Sequence, residues 1–199
     1  EVQGAGKGCW SSRKYFPLEF APYRTAYHFQ PSSSWMNDPN GPMLWKGLWH
    51  LFWQWNPTAV VGFANMHWGH AVSHDLLSWT QLPIALSPDG GACGGEWSGS
   101  ATLGAPGAQA PVLSYSVQCN SYFGQATAHD PADPLLVNWT ANHPVGHKAP
   151  GTGGFRDPCA PPCARSNPGH WRMRAPACSA HGFGPPCVGT ATAWKGRDG

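Results

Sequence analysis

Between positions 42 and 55 the apolar side chains come in two short runs, 42–45 and 48–55, split by Lys46-Gly47. Short apolar runs divided by a two-residue step ending in glycine predict a strand, a tight turn and a second strand. In the second run Leu48, His50, Phe52, Gln54 and Asn56 share one parity, and Trp49, Leu51, Trp53 and Trp55 share the other. Both faces are largely apolar in the middle, so this strand is expected to be covered on both sides. A motif then recurs. "GHAVSHDLLSW" begins at Gly69, "GQATAHDPADPLLVNW" at Gly124 and "GTATAWKGRDG" at Gly189. The third residue is alanine each time (Ala71, Ala126, Ala191), and Asp75, Asp130 and Asp198 follow. A short β segment, an aspartate turn and a closing tryptophan, repeated, suggest the blades of a propeller. Residues 1–26 carry little periodicity and read as a lead-in; 27–199 read as one domain. Stretches 86–95 and 141–154 read as Gly/Pro/Ala-rich loops, and the tail from Pro158 reads as loop-rich.

Composition agrees with many short strands joined by turns. The chain has 199 residues with 25 Gly and 21 Pro, but also 12 Trp, and so many large apolar side chains argue against disorder. Charged residues are 11%, well under the roughly 25% of average soluble proteins. Net charge is +2 with no basic run, which gives nucleic-acid binding no electrostatic support. No apolar stretch approaches the roughly 18 residues of a membrane-spanning helix. The first methionine is Met36, so a processed product or a fragment is expected. Seven cysteines leave an odd thiol. Asn138-Trp139-Thr140 is a glycosylation sequon, meaningful in a secreted chain.

Only ten acidic residues exist, so each can be weighed. Asp75, Asp89, Asp130, Asp133 and Asp198 sit in turn-like settings, and Glu1 and Glu19 belong to the lead-in. Asp38 in "WMNDPNG", Glu96 in "GGEWSGS" and Asp157 in "GFRDP" remain. "DPNG" is good turn chemistry, and a surface turn is the plain reading of it. Yet both aspartates stand in an Asp-Pro step beside an apolar segment, where proline pushes the preceding residue toward an extended conformation and holds its carboxylate in one direction. Paired carboxylates among tryptophans suggest sugar chemistry: aromatic faces pack on sugar C–H faces, amides and guanidinium bond hydroxyls, and glycosidases work with two carboxyl groups.

"WMNDPNGP", "LFWQWNP", "WGHAVSHDLLSW", "WSGSAT", "DPLLVNW" and "FRDP" occur in that order. Together they resemble the successive motifs of glycoside hydrolase family 32, the invertases and fructan hydrolases, from about Tyr27 to Pro158. The resemblance implies an all-β fold, a five-bladed β-propeller with a central pocket, here a partial one holding about blades one to three. It implies a β-fructofuranosidase acting on sucrose or a short fructan, with no cofactor and no metal in its site. By that resemblance Asp38 is the nucleophile and Asp157 the non-covalent carboxylate that holds the fructosyl ring. Arg156 would bond a sugar hydroxyl, and Trp35, Asn37, Gln54, Trp97 and Ser98 would line the fructose pocket. Phe63 in "GFANMHWGH" stands where the family usually has Trp; it keeps the apolar wall without the indole donor.

The family's acid/base is a glutamate in a "Glu-Cys" motif after "RDP", and no Glu follows Glu96 in this chain. Glu96 is a poor substitute, and the isolated chain is expected to be inactive. The alternatives are a carbohydrate-binding propeller without catalysis, or fructosyl transfer to a sugar in place of water. Zinc is another reading of Cys159, Cys163, His170, Cys178, His181 and Cys187, against disulfides or free thiols. His70 reads as a hydrogen-bonded core residue. "WSGSA" lacks the first glycine of a serine-hydrolase elbow. Secreted, vacuolar and plastid locations all remain open, as does the oligomeric state.

Overall fold

The computed structural model describes residues 23–25, 27–62, 65–88, 95–105, 108–117, 122–147, 152–158, 170–179 and 189–195. The chain divides into two compact units, Glu1–Gln30 and Pro31–Gly199. In the first, Arg24 Nη2 donates to the Gln30 carbonyl at 3.0 Å. All strands belong to the second: β1 Trp35–Trp45, β2 Leu48–Asn56, β3 His67–Ser73, β4 Thr80–Leu86, β5 Glu96–Thr102, β6 Val112–Val117, β7 Tyr122–Ala128, β8 Trp139–His147, β9 Thr152–Phe155, β10 His170–Ser179 and β11 Gly189–Lys195. No helix occurs among the described residues.

Three antiparallel sheets result, ordered β1-β2-β3-β4, β5-β6-β7-β8 and β9-β10-β11. Each is a meander of sequence neighbours, the blade pattern of a propeller. The three recurrences fall on the third strand of each sheet, β3, β7 and β11, so the sequence repeat is the structural one.

The β1–β2 hairpin turns at Lys46-Gly47 as its sequence predicts. Both residues have positive φ (46° and 82°), the geometry of a two-residue turn whose twist matches the strands. β1 itself starts earlier than expected. "WMNDPNG" is not a surface turn but strand, paired Trp35↔Asn56, Met36↔Trp55, Pro39↔Trp53, Asn40↔Phe52 and Met43↔His50. Twice β1 spends one residue more than β2, between Met36 and Pro39 and between Asn40 and Met43. These are β-bulges, which bend a strand and re-aim side chains. β1 pairs on one side only, so Pro39 and Pro42 remove no ladder bond from a central strand. Turn-forming residues thus serve bulges, and Asp38 sits in the first of them.

Stretch 141–154 also differs from expectation. β8 covers most of it and β9 begins within it, while β10 lies in the tail read as loop. β8 is an edge strand; edge strands tolerate proline and polar residues, so its "WTANHPVGH" shows no apolar alternation.

The core joins the first two sheets. Phe52 and Trp68 from one, and Leu113, Tyr115 and Ala126 from the other, are fully buried together. Trp68 packs on Phe52 and on Tyr115 with ring centroids 5.8 and 5.7 Å apart, and Trp139 meets Phe52 edge-on at 5.6 Å, favoured aromatic geometries. Two histidines are buried in this core. His50 Nε2 lies 3.1 Å from the Pro134 carbonyl, His50 Nδ1 lies 3.0 Å from His70 Nε2, and Phe52 stacks on His70 at 4.3 Å. Lys46 Nζ donates to the Ala132 carbonyl at 2.9 Å, so the loop after β7 grips the first hairpin at two points. Asp75, Asp130 and Asp133 cap turns through backbone N–H groups, as their settings predicted.

Candidate active site

Asp38 reaches the site from the first bulge of β1, half-buried. Its Oδ2 accepts the Ser98 hydroxyl at 2.5 Å, a short charge-assisted bond. Ser98 Oγ in turn accepts Gln54 Nε2 at 2.7 Å. Gln54 is on β2 and 1% exposed, so its amide acts through Ser98 rather than at an open surface. Ser98 lies on β5, and Gly99 beside it is dictated by packing: a Cβ there would collide with the Ser114 carbonyl oxygen of β6. The Gly99 N–H donates to Asn40 Oδ1 at 3.2 Å. Asn40, the second asparagine of "NDPNG", is buried and ties β1 to β5.

Asp157 follows β9. Its backbone N–H donates to Ser116 Oγ of β6 at 2.7 Å, and Ser116 Oγ donates to the Ser98 carbonyl at 3.3 Å. The two aspartates, 38 and 157, are therefore joined through the two serines of adjacent strands. Asp157 is not extended as its following proline suggested. Its φ is +54°, a left-handed conformation that costs a non-glycine residue roughly 1–2 kcal/mol, less for aspartate than for most. Arg156 Nε donates to Asp157 Oδ2 at 2.7 Å, with the side chains 63% and 39% exposed. An ion pair this open contributes little to stability; it orients the carboxylate and leaves the guanidinium facing solvent.

The other expected residues take less central places. Trp97 is half-buried, and its carbonyl accepts Trp68 Nε1 at 3.0 Å. Trp35 opens β1, half-buried, with Gly62 against its indole. Asn37 is exposed. Phe63 lies outside the described residues, as do Cys159, Cys163, His181 and Cys187 of the tail. Among the described residues no group of three His, Cys, Asp or Glu could hold a metal ion. No helix of the described residues is long and apolar enough to cross a membrane. Glu96 begins β5 at 2% exposure, buried within the protein. Sequence reasoning missed Asn40 and Ser116. Ser114 and Ser116 interrupt the apolar run of β6 at alternate positions, and that is the signal that could have found Ser116.

Set beside known proteins, residues 28–181 match the model of the glycosyl hydrolases family 32 N-terminal domain. The chain belongs to glycosyl hydrolase family 32. Among relatives of this family, Beta-fructofuranosidase 1 of Zea mays is 43% identical over 178 residues, covering 84% of this chain and 26% of that protein. Acid beta-fructofuranosidase 1, vacuolar, of a Rosa hybrid cultivar is 44% identical, over 77% of this chain and 27% of its own length. The chain thus spans about a quarter of the length of these curated relatives. A crystal structure of fructan 1-exohydrolase IIa from Cichorium intybus in complex with 1-kestose superposes with a TM-score of 0.72 at 37% identity, over 88% of this chain and 32% of the other. The three sheets are accordingly blades of a family 32 propeller, present in part.

Proposed function

We propose that the protein acts as a retaining β-fructofuranosidase on sucrose or a short fructan, with Asp38 as nucleophile and Asp157 as the carboxylate that steadies the fructosyl ring. The observation that carries this reading is the hydrogen-bonded path Asp38–Ser98–Ser116–Asp157, which ties both carboxyl-bearing segments to one pair of strands. Family 32 relatives named as β-fructofuranosidases and a neighbour that holds 1-kestose support the substrate class.

Ser98 occupies Oδ2 of Asp38, so Oδ1 is the attacking oxygen. It bonds to the anomeric carbon of fructose as the glycosidic C–O bond breaks, and the leaving oxygen takes a proton from a second carboxylic acid. Water then attacks the same carbon, freeing Asp38 and returning a proton to that acid's conjugate base. Positive charge on the ring in the transition state faces the Asp157 carboxylate, while the Arg156 guanidinium, open to solvent, bonds a sugar hydroxyl. Asn37, Trp35 and Trp97 complete the sugar surface, with Gln54 acting through Ser98. Phe63 supplies an apolar wall. A vacuolar location is supported by the vacuolar relative, and a secreted one by the exposed sequon residue Asn138.

The test separates the nucleophile from the acid. β-D-Fructofuranosyl fluoride carries a leaving group that departs without a proton. Incubated with the chain and followed by mass spectrometry, it is expected to leave a fructosyl group on Asp38, and none on Asp38→Asn. Fluoride release with no label at Asp38, or no reaction, overturns the assignment. Sugar binding without turnover is the second reading; fructose uptake in calorimetry without any adduct would establish it.

A further inference from the structure

β5 and β6 carry two hydroxyls that take no part in the proposed bond-making, and both end on one dipeptide. Ser116 Oγ of β6 accepts the Asp157 N–H at 2.7 Å. Ser100 Oγ of β5 donates to the Pro158 carbonyl at 2.9 Å. An amide can only donate and a carbonyl can only accept, so the hydrogen positions are fixed: the one Ser116 proton goes to the Ser98 carbonyl, 3.3 Å away. Ser116 is 2% exposed, which shields these bonds from water.

We propose that Ser100 and Ser116 are positioning residues. They form a two-hydroxyl bracket that holds the Asp157–Pro158 backbone, and through it the Asp157 carboxylate, in register with the strand whose Ser98 holds Asp38. The proposal rests on the reading of Asp38 and Asp157 given above. The reason a bracket is needed lies in the backbone. Asp157 has φ +54°, and a residue before proline favours an extended conformation instead. An unfavoured conformation persists where the surroundings over-determine it, and such positions cluster where function needs a fixed geometry. Released, Asp157 would relax toward the extended region and swing its carboxylate away from Asp38. Arg156 cannot prevent this, because it is exposed and bonded to the carboxylate that would move. Ser116 touches both segments directly: Asp157 on one side and the Ser98 peptide on the other.

The experiment compares the chain with Ser116→Ala and Ser116→Thr. Alanine removes the acceptor for Asp157 N–H; threonine keeps it. Amide hydrogen exchange at Asp157, read by NMR, is expected to speed up about ten-fold in S116A, the usual net strength of one hydrogen bond, and to return toward the parent rate in S116T. Fructosyl labelling of Asp38 by the fluoride should slow by about the same factor in S116A and recover in S116T. A purely structural role would instead speed exchange equally at core amides such as Leu113 and Tyr115. Should S116A not fold, Ser100→Ala opens the other arm from a less buried position and gives the same reading. Unchanged exchange at Asp157 overturns the bracket, and so does equal loss in S116A and S116T. A normal exchange response in a chain that takes no fructosyl label supports the bracket and overturns the catalytic reading instead.

Discussion

Acidification should unlock the core through one nitrogen of His70. A histidine ordinarily titrates near 6.5, and burial, followed by the neighbouring His50, pushes His70 down to about 3. The geometry explains why. His50 Nε2 faces a carbonyl and must donate to it, so His50 Nδ1 accepts from His70 Nε2–H. A further proton can enter only at His70 Nδ1, which is buried with no hydrogen-bond partner among the described residues. The Pro134 carbonyl and then Asp133 offset part of the burial of His50, yet His50 is also lowered; Lys46, from the first hairpin, bonds the same loop at Ala132. The sign follows from proton counts. Below 6.5 the unfolded chain binds a proton at His70 and the folded chain does not until about 3. Unfolding therefore takes up protons across that window, and stability, full above 6.5, falls as pH drops. Each pH unit costs about 1.4 kcal/mol per histidine. From about pH 6.5 to about pH 4.5 His70 alone removes roughly 2 kcal/mol, a large share of the 5–15 kcal/mol of an ordinary domain. His50 and His67, both lowered by burial, act in the same direction. Asp75, held at about 2 chiefly by the Ser78 and Leu77 N–H groups, contributes only below its ordinary 3.8 and leaves this window clear. Urea unfolding followed by tryptophan fluorescence at several pH values gives the slope. His70→Gln keeps a donor to His50 and removes the titrating site, so its slope should be shallower by about one proton. Parallel slopes in the two proteins, or a flat parent profile, would refute the argument.

Two further changes probe the site itself. Ser98→Ala deletes the bond to Asp38 Oδ2 and leaves Gln54 Nε2 without its acceptor; a hydrogen bond to a charged group is worth about 1.5–3 kcal/mol, so fructosyl labelling of Asp38 should slow by roughly ten- to a hundred-fold, and an unchanged labelling rate would count against the network. Gly99→Ala drives a Cβ into the Ser114 carbonyl; forcing β5 off β6 should cost about 1–3 kcal/mol, visible as a lower melting temperature, and a melting temperature equal to the parent's would show that the strands can part freely.

Much of the scaffold could be read from the chain. Lys46-Gly47 announces its turn because only a few residues tolerate two successive positive φ values. The Gly-x-Ala recurrence marks the third strand of each sheet because a repeated packing task selects repeated residues. "WMNDPNG" deceived because a bulge and a turn ask for the same residues, and only the pairing partner distinguishes them. β8 escaped because a strand paired on one side has no apolar alternation to display. In the site, the motifs pointed to Asp38, Ser98 and Asp157, yet the way they are connected was hidden. Ser116 is an unremarked hydroxyl in "VLSYSV", and the left-handed Asp157 contradicts the local preference before proline. Tertiary hydrogen bonds decide both; the alternate serines of β6 mark Ser116 as a candidate but do not record its partners.

Every strand in these sheets pairs only with strands adjacent to it along the chain. Closing such short loops costs little entropy, and local pairing forms early and fast. A ribosome delivering this polypeptide is therefore expected to release one finished meander at a time, each able to seat on its predecessor before the next is made. The grip of Lys46 and His50 by the loop after β7 would mark the moment the second meander locks onto the first.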